Sequence, residues 1–215
     1  MVALEVHSRP SVEFSDVTVG YYRDCPVLES MSVSVHGPGL VWVRGTNGVG
    51  KSTFVEVCSG YLRPEAGSVS VCGVPAMASS ARAVRRVCRS SVGLLPEMTV
   101  RDHLVLATRS SGSSLPALID RAVDFGLGQW LDTRSGALSN GNRRKAWLLT
   151  CIPSAAPVIV ADEPFQGLDD VGSAAFTEDL RSWSRRALVL VVAHDWPSNL
   201  SPDQHLHIRG GGIAA

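Results

Sequence analysis

A glycine-rich loop that connects an apolar strand to a helix is the feature that most restricts how this chain can fold. The apolar run Leu40–Val43 leads into Gly45–Ser52, which matches the pattern G-x-x-x-x-G-K-[ST]. Glycines let the backbone turn tightly, while exposed N–H groups and the helix N-terminus attract anions. The sequence therefore predicts a phosphate-binding loop. Its predicted ligand-binding residues are Gly45, Thr46, Asn47, Gly48, Val49, Gly50, Lys51, Ser52 and Thr53.

Two carboxylates after a second apolar strand predict the chemistry of the site. Asp162 and Glu163 follow the run Pro157–Ala161, and ligands of open α/β sheets bind at the carboxyl ends of the strands. We expect Lys51 to reach the β- and γ-phosphates of a nucleotide, and Ser52 and Asp162 to hold Mg²⁺. Glu163 is the candidate catalytic residue that orients or deprotonates the attacking water.

Hydrophobic periodicity predicts a mostly parallel α/β sheet with an inserted helical lobe. The predicted strands are residues 12–19, 27–35, 40–43, 67–74, 158–160 and 188–192, and helices are predicted at 52–59 and 173–184. From residue 76 to 150 strand signals give way to helical periodicity, which is clearest at 100–107 and 118–125. We expect one domain, with residues 1–93 and 152–215 as its core and residues 94–151 as its helical part.

Composition narrows the classes of function. The 20 basic side chains balance 20 acidic ones, which argues against a general nucleic-acid binder. Only Lys51 and Lys145 are lysines; because Arg readily replaces Lys on a surface, we expect both where a compact ammonium is needed. The five widely spaced cysteines form no zinc pattern and are expected to be reduced. Residues 1–7 lack signal-peptide features, and no apolar run reaches the roughly 20 residues of a membrane span.

Further motifs carry a resemblance to one family. Residues 138–142, with the sequence LSNGN, resemble the LSGGQ signature of ABC ATPases, and Ser139 lies 88 positions after Lys51. Asp169 in the run Gly167–Asp169 resembles the D-loop of that family, and His194 resembles its switch histidine. Tyr22 has the spacing of the aromatic residue that stacks on adenine, although Tyr21 competes for this role.

The resemblance implies a P-loop NTPase (RecA-like) core with a small antiparallel β subdomain and an inserted α-helical subdomain. It also implies ATP and Mg²⁺ as ligands. In this family two subunits clamp ATP between them, so Ser139, Asn140, Gly141 and Asn142 would bind the γ-phosphate held by the opposite subunit. His194 would contact the γ-phosphate and help Glu163 to arrange the attacking water.

The implied partners are separate integral membrane permease subunits and a second ATPase subunit, either an identical copy or a paralogue, with no nucleic acid. The implied location is the cytoplasmic face of the membrane, as a peripheral subunit. Two alternatives stay open: a non-transport ABC ATPase, and a regulatory module that binds ATP with little hydrolysis. The Asp-Glu-Pro-Phe and Leu-Pro-Glu strings resemble small bacterial exporters, and the cargo cannot be deduced.

Several residues depart from the family pattern. Glu97 is assigned to the position of a glutamine at the entry to the helical lobe, where it would add a Mg²⁺ ligand, and the loop after it is expected to be nearly absent. That region receives a helix of the membrane subunit, so a shallow groove and an unusual partner are predicted. Asn140 replaces a glycine and is expected to tolerate a positive φ. Arg143, Arg144 and Lys145 are expected to form either a solvated basic turn or part of the site for the partner's triphosphate.

Overall fold

The protein folds as a mixed α/β structure of two sheets and six helices. The structure, a computed structural model, describes residues 9–151, 156–209 and 212–214; the predictions about residues 1–7, the boundary at residue 152 and residue 215 lie outside these ranges. The strands are β1 (Ser11–Tyr22), β2 (Cys25–His36), β3 (Gly39–Arg44), β4 (Ala66–Val71), β5 (Val74–Pro75), β6 (Arg85–Cys88), β7 (Val158–Asp162), β8 (Leu188–Val192), β9 (Gln204–Arg209) and β10 (Gly212–Ala214). The helices are α1 (Lys51–Cys58), α2 (Ala81–Val84), α3 (Val100–Ser111), α4 (Leu115–Asp124), α5 (Asn140–Cys151) and α6 (Asp170–Ser184).

The larger sheet has six strands in the order β10-β9-β3-β8-β7-β6. Its neighbours from β9 to β6 pair in parallel, and β10 is antiparallel to β9. The smaller sheet is antiparallel, in the order β2-β1-β4-β5. Because β3 and β7 are parallel members of one sheet, their carboxyl ends lie at the same edge, which brings the phosphate loop next to Asp162.

Two apolar cores cover the two faces of the larger sheet. Val158 and Val160 of β7 face the core shared with α1 and the antiparallel sheet, where Phe14 and Phe54 stack with ring centroids 4.8 Å apart. Ile159 and Ala161 point the other way, into the core formed with α3, α4, α5 and α6. This alternation explains why β7 reads as a continuous apolar run, since a strand buried on both faces needs no polar side.

Local signals define the helices between β6 and β7. Thr99 and Asp102 form a reciprocal capping box at the start of α3, and α3 ends at Gly112, which adopts a left-handed conformation. The Ser114 side chain accepts a hydrogen bond from the Ala117 N–H at the start of α4. The predicted break between the two helices is therefore confirmed, with three residues between Ser111 and Leu115.

The prediction that strand signals end near residue 76 is wrong, because β6 lies at Arg85–Cys88 and pairs in parallel with β7. Two of its four residues, Arg85 and Arg86, are charged, so the segment lacks the apolar pattern that predicts a strand. Arg85 is buried, and its guanidinium donates to the carbonyl oxygen of Ala76 at 2.7 Å. β6 ends at Cys88, and residues 89–99 connect it to α3. Because α3 begins at Val100, only Met98 and Thr99 follow Glu97 before the helix, and the expectation of a nearly absent loop after Glu97 is confirmed.

Candidate active site

The phosphate loop occupies the turn between β3 and α1. Gly50 caps α1 in the left-handed region with φ 105°, a conformation that L side chains rarely adopt. A Cβ on Gly50 would lie 2.6 Å from Leu28 Cδ2. A Cβ on Gly45 would lie 2.6 Å from the carbonyl oxygen of Ile208 in β9. The antiparallel sheet and β9 therefore pack too closely against the loop for side chains at these glycines.

Lys51 lies inside this loop. Its ammonium group donates to the carbonyl oxygens of Gly45 at 2.8 Å and Thr46 at 3.0 Å, and the residue is only 9% exposed. Lys51 Nζ is also 3.5 Å from His194 Nε2, and that imidazole nitrogen contacts Asn47 Oδ1. The structure thus brings the predicted loop residues and the predicted switch histidine together around one cation.

Asp162 and Glu163 lie at the carboxyl end of β7, beside the loop. Asp162 is 3% exposed, and its Oδ1 has no hydrogen-bond partner among the described residues. Glu163 has a φ of 46°, which is unusual for a residue with a side chain. Its N–H donates to the carbonyl oxygen of Val192 at 2.7 Å, and its carboxylate accepts from the backbone N–H of His194 at 3.2 Å. These contacts fix the residue between β7 and β8.

A cavity of about 410 Å³ contains these groups. Its lining includes Lys51, Asp162, Glu163 and His194, with the loop residues Asn47, Gly48, Gly50, Ser52 and Thr53. Tyr21 also lines it, whereas Tyr22 is 79% exposed and is not among the lining residues described. The geometry therefore favours Tyr21 over Tyr22, the reverse of the choice made from spacing.

The segment 138–142 forms the N-terminus of α5. Ser139 precedes the helix, and its hydroxyl accepts a hydrogen bond from the Asn142 N–H at 3.2 Å. The helix begins at Asn140. Asn140 is helical and is not among the residues with positive φ, so this position does not require the tolerance of positive φ that asparagine offers.

Gly141 packs against the segment that contains Asp169. A Cβ on Gly141 would lie 2.8 Å from the carbonyl oxygen of Gly167. Asp169 caps α6, because its carboxylate accepts from the Gly172 N–H at 2.8 Å. The segment that resembles the family signature and the segment that resembles the D-loop are therefore in direct contact.

Lys145 joins the same two segments. It is 2% exposed, and its ammonium donates to Asp169 Oδ2 at 2.7 Å. This hydrogen bond lowers the pKa of the Asp169 carboxyl below its usual value. Arg144 is 4% exposed. The interpretation of residues 143–145 as a solvated basic turn, or as a cluster facing a partner's triphosphate, is thus wrong for Arg144 and Lys145.

Comparisons with known proteins decide the family. A family model described as ABC transporter matches residues 28–166, well over half of the chain.

The chain belongs to the ABC transporter family.

The ABC relatives include proteins named for export. Nod factor export ATP-binding protein I of Burkholderia orbicola (strain AU 1054) is 33% identical over 180 residues, which cover 80% of this chain and 59% of that protein. Its namesake from Rhizobium etli is 30% identical over 193 residues, covering 85% of this chain and 59% of that protein. The chain therefore spans less than two thirds of the length of these relatives.

Solved structures of the ABC family share the fold. A structure of an ATP-binding subunit of an ABC transporter has a TM-score of 0.85 at 25% identity, covering 95% of this chain and 88% of that one. A bacterial Atm1-family ABC exporter with ATP bound has a TM-score of 0.84 at 23% identity, covering 96% and 38% of the two chains. The expected P-loop NTPase fold of the ABC type is confirmed, and the family is one that binds ATP.

One predicted residue of the ABC site lies elsewhere in the structure. Glu97 is exposed, it forms an ion pair with Arg134 at 3.2 Å, and it is not among the residues described as lining the cavity. It stands immediately before the Met98–Val100 turn into α3. Because Glu97 is not among the residues that line the cavity with Ser52 and Asp162, its assignment as a Mg²⁺ ligand does not fit the structure.

The donor set of the ABC site fits a hard divalent cation. Asp162 offers a buried carboxylate oxygen that lacks a partner, and the Ser52 hydroxyl lies on the same cavity wall. Oxygen donors of this kind suit Mg²⁺, which usually keeps several waters and shares the phosphates of its nucleotide. Among the described residues no group of three or more His, Cys, Asp or Glu could hold a metal ion.

Arg144 is the functional candidate that the sequence did not single out. Its guanidinium donates to the carbonyl oxygens of both Asp162 and Glu163 at 2.8 Å. A run of basic residues at a helix start suggests exposure, and nothing in the local pattern indicates that one of them turns inward. Only the packing of α5 against β6 and β7 reveals this contact.

Proposed function

We propose that this chain binds ATP and Mg²⁺ at the cavity next to the Gly45–Thr53 loop, hydrolyses the nucleotide, and energises transport through separate membrane-spanning subunits. One observation carries the proposal. The unpartnered buried carboxylate oxygen of Asp162, the carboxylate of Glu163 and the imidazole of His194 line the same cavity as the phosphate loop. This arrangement can hold a triphosphate and a water molecule on one side of the sheet edge.

The loop and its lysine bind the phosphates. Lys51 donates to the carbonyl oxygens of Gly45 and Thr46 in this structure, and phosphate oxygens are stronger acceptors for an ammonium group because they are charged. Loop N–H groups and the N-terminus of α1 add further donors. Mg²⁺ held by Ser52 and Asp162 would neutralise charge on the β- and γ-phosphates. Tyr21, with Tyr22 as the alternative, is the candidate for the adenine contact.

Glu163 and His194 provide the chemistry. Glu163 is the candidate general base: it accepts a proton from a water molecule as the water oxygen attacks the γ-phosphorus. The bond from the γ-phosphorus to the β–γ bridging oxygen breaks, giving ADP and inorganic phosphate. His194, which already contacts Asn47, is the candidate donor to the γ-phosphate.

The direction of transport that we propose is export. Relatives at 33% and 30% identity are named Nod factor export ATP-binding protein I. No helix in the described part of the chain has the length and apolar character needed to cross a bilayer. Because the relatives are named as ATP-binding proteins of export, we assign the membrane-spanning function to partner subunits and this chain to the cytoplasmic face of the membrane.

Substitution of the candidate base tests this function. In Glu163→Gln, we expect ATP turnover to fall at least about 100-fold, since a positioned base contributes roughly 10²–10⁴-fold, while the Kd for ATP stays unchanged. Phosphate release and ATP binding are measured on the purified protein with Mg²⁺. Glu178→Gln, an exposed carboxylate on α6, is the matched control. Turnover at the wild-type rate in Glu163→Gln would refute the role, and ATP binding without turnover in the wild type would support the regulatory alternative.

A basic cleft is the surface that we propose for the membrane partner. It has a volume of about 390 Å³ and lies between the end of α1, the strand β6 and the helix α5. Its charged lining residues are all arginines, joined by Trp147: Arg82, Arg85, Arg86 and Arg89. The Arg85 guanidinium is buried and bonded to the Ala76 carbonyl oxygen, so it is not part of the binding surface. The guanidinium groups of Arg82, Arg86 and Arg89, the last of which is paired with Glu56 at 2.8 Å, favour an acidic cytoplasmic segment of the permease.

Reversing one charge in this basic cleft tests the partner surface. Arg82 is exposed at its edge, so Arg82→Glu should fold normally and reduce co-purification with the cognate membrane subunit in detergent. Arg185→Glu, an exposed arginine after α6, is the control and should leave the complex intact. Equal recovery of the complex with both variants would exclude the cleft as the docking surface.

A further inference from the structure

Arg144 connects three separate parts of the molecule through one buried side chain. Its Nη1 donates to the carbonyl oxygens of Arg89 at 2.8 Å and Ser90 at 2.9 Å, in the loop after β6. Its Nη2 donates to the carbonyl oxygens of Asp162 and Glu163, each at 2.8 Å, at the end of β7. The side chain itself projects from the first turns of α5. A planar guanidinium can hold two pairs of acceptors in this way, whereas an ammonium group cannot span both.

These bonds act on the backbone of the candidate base. The Glu163 peptide is held on one side by its N–H bond to the Val192 carbonyl and on the other by Arg144. A φ of 46° is unfavourable for a residue with a side chain and persists only where the surroundings enforce it. The guanidinium is one of the groups that enforce it here.

The position of Arg144 on α5 also links these bonds to the Ser139–Asn142 turn. Ser139 and Gly141, which are assigned to the partner's γ-phosphate, lie within five residues of Arg144 at the same helix end. A helix turn is stiff, so a small displacement of this end moves the guanidinium as well. None of the ion pairs formed by the described residues includes Arg144, and its interactions with carbonyl groups are therefore directional rather than merely electrostatic.

We propose that Arg144 is a positioning residue that transmits contact at the Ser139–Asn142 turn to the backbone of Asp162 and Glu163. The proposal rests on the proposed ATPase function. When nucleotide held by a second subunit seats on the turn, α5 is fixed, and Arg144 then holds the Glu163 carboxylate in the orientation that hydrolysis requires. Without this connection Glu163 can still accept a proton, but its carboxylate is no longer aligned with the attacking water.

Kinetics of Arg144→Lys and Arg144→Ala test the proposal. In Arg144→Lys, kcat should fall about 10- to 100-fold, the loss expected when a catalytic group shifts by a fraction of an ångström, while KM for ATP stays within about twofold. Guanidinium chloride at tens of millimolar should restore kcat in Arg144→Ala by refilling the site, and ammonium chloride at the same ionic strength should not. These concentrations are far below those that unfold proteins.

Arg85 supplies the matched control. It is also a buried arginine, at 8% exposure, that donates to a backbone carbonyl, that of Ala76, and it lies at the opposite end of β6 from the loop that Arg144 contacts. Arg85→Lys should lower the midpoint of thermal unfolding and leave kcat of the folded fraction unchanged, without any effect of guanidinium.

A second measurement does not depend on hydrolysis. Amide hydrogen exchange in the segment 158–166, measured without nucleotide, should be faster in Arg144→Lys than in the wild type and unchanged in Arg85→Lys. If exchange and kcat are both unchanged in Arg144→Lys, Arg144 has only a structural role and the proposal is wrong. If the wild type hydrolyses no ATP, the proposed function fails, and the exchange data still decide whether Arg144 holds this segment.

Discussion

Glu163 has a backbone conformation that few residues with side chains adopt, and this conformation turns its carboxylate toward His194. The φ of 46° follows directly after the buried strand β7, and the bond to the Val192 carbonyl holds the turn in place. Strain of this kind is typical of functional sites. The backbone conformation of Glu163 is therefore present without a ligand, while the final alignment of its carboxylate depends on the Arg144 contact proposed above.

Lys145 and Asp169 form an ion pair whose two members differ greatly in exposure. The Lys145 side chain is 3% exposed, whereas that of Asp169 is 59% exposed. Removal of the exposed partner leaves a buried ammonium without its counter-charge, while removal of the buried partner leaves a carboxylate in water.

We therefore expect Asp169→Asn to destabilise the protein by about 1–3 kcal/mol. Lys145→Met, which replaces the buried charge by an apolar chain of similar length, should cost less. Because Asn caps helices as well as Asp does, the capping bond to Gly172 is kept and cannot account for the difference. Urea unfolding of both variants measures it, and a larger loss in Lys145→Met would contradict the argument.

Both lysines could be predicted as special from composition, and both are buried, at 9% for Lys51 and 2% for Lys145. The phosphate loop, the carboxylates after β7 and His194 could be predicted because each follows an apolar strand directly. The contacts of Arg144 could not be predicted, since its four acceptors are backbone carbonyls from distant parts of the chain. Because every residue has a backbone carbonyl, the sequence does not show which ones accept these hydrogen bonds.

At the scale of elements, α5 is the centre of the helical part. It packs against β6 and against α3 and α4, and Lys145 links it to the cap of α6. The strand β6 escaped prediction because Arg85 and Arg86 interrupt its apolar pattern. The strand β9 buries Leu206 and Ile208, two residues apart, so its period of two is visible in the sequence.

The contact between α4 and α6 predicts a pH-dependent stability. Asp179 of α6 forms an ion pair with Arg121 of α4 at 2.9 Å. Burial raises the pKa of its carboxyl to about 6, and pairing with Arg121 offsets only part of this effect. Because the folded pKa lies above the unfolded value, this group stabilises the fold most below about pH 4, and that stability is lost as the pH rises to about 6.

The variant Asp179→Asn removes this titration. Relative to the wild type, we expect the variant to gain about 2–3 kcal/mol of unfolding free energy between pH 4 and pH 7, at 1.36 kcal/mol for each unit of pKa shift. Thermal or urea unfolding of both proteins at several pH values provides the measurement. The other carboxyl groups are common to both proteins and cancel in the difference. A constant difference across this range would show that the Asp179 pKa is not raised.

At the scale of the whole molecule, the cavity lies on an open face of the chain. Ser139 and Asn140 are exposed beside the segment Gly167–Asp169, which contacts Gly141. These exposed backbone and hydroxyl groups are suited to a ligand that arrives on another subunit. This arrangement supports the proposal that two chains close on two nucleotides.

The proposed pairing of two chains predicts a change in mass. With ATP and Mg²⁺, the mass of Glu163→Gln measured by light scattering should double, because slow hydrolysis keeps two chains closed on the nucleotide. With ADP, the variant should remain a monomer. Adding Ser139→Arg to this variant should prevent the doubling, since a long cation would occupy the phosphate position. Adding Ser182→Arg, at an exposed serine on α6, should not. If the mass does not depend on nucleotide, either the second subunit is a paralogue or two chains do not close on ATP.

Amine-reactive reagents meet few targets on this molecule, because positive charge on its described surface is carried by arginine. Dyes and cross-linkers that acylate exposed lysine side chains would therefore label this protein only weakly. Lys145 is enclosed beneath α6, so the reactive lysine inside the described part of the chain is Lys51, at the bottom of the phosphate loop. Bound nucleotide would shield Lys51 from the reagent. Slow acylation of Lys51 would therefore measure the fraction of sites that hold nucleotide.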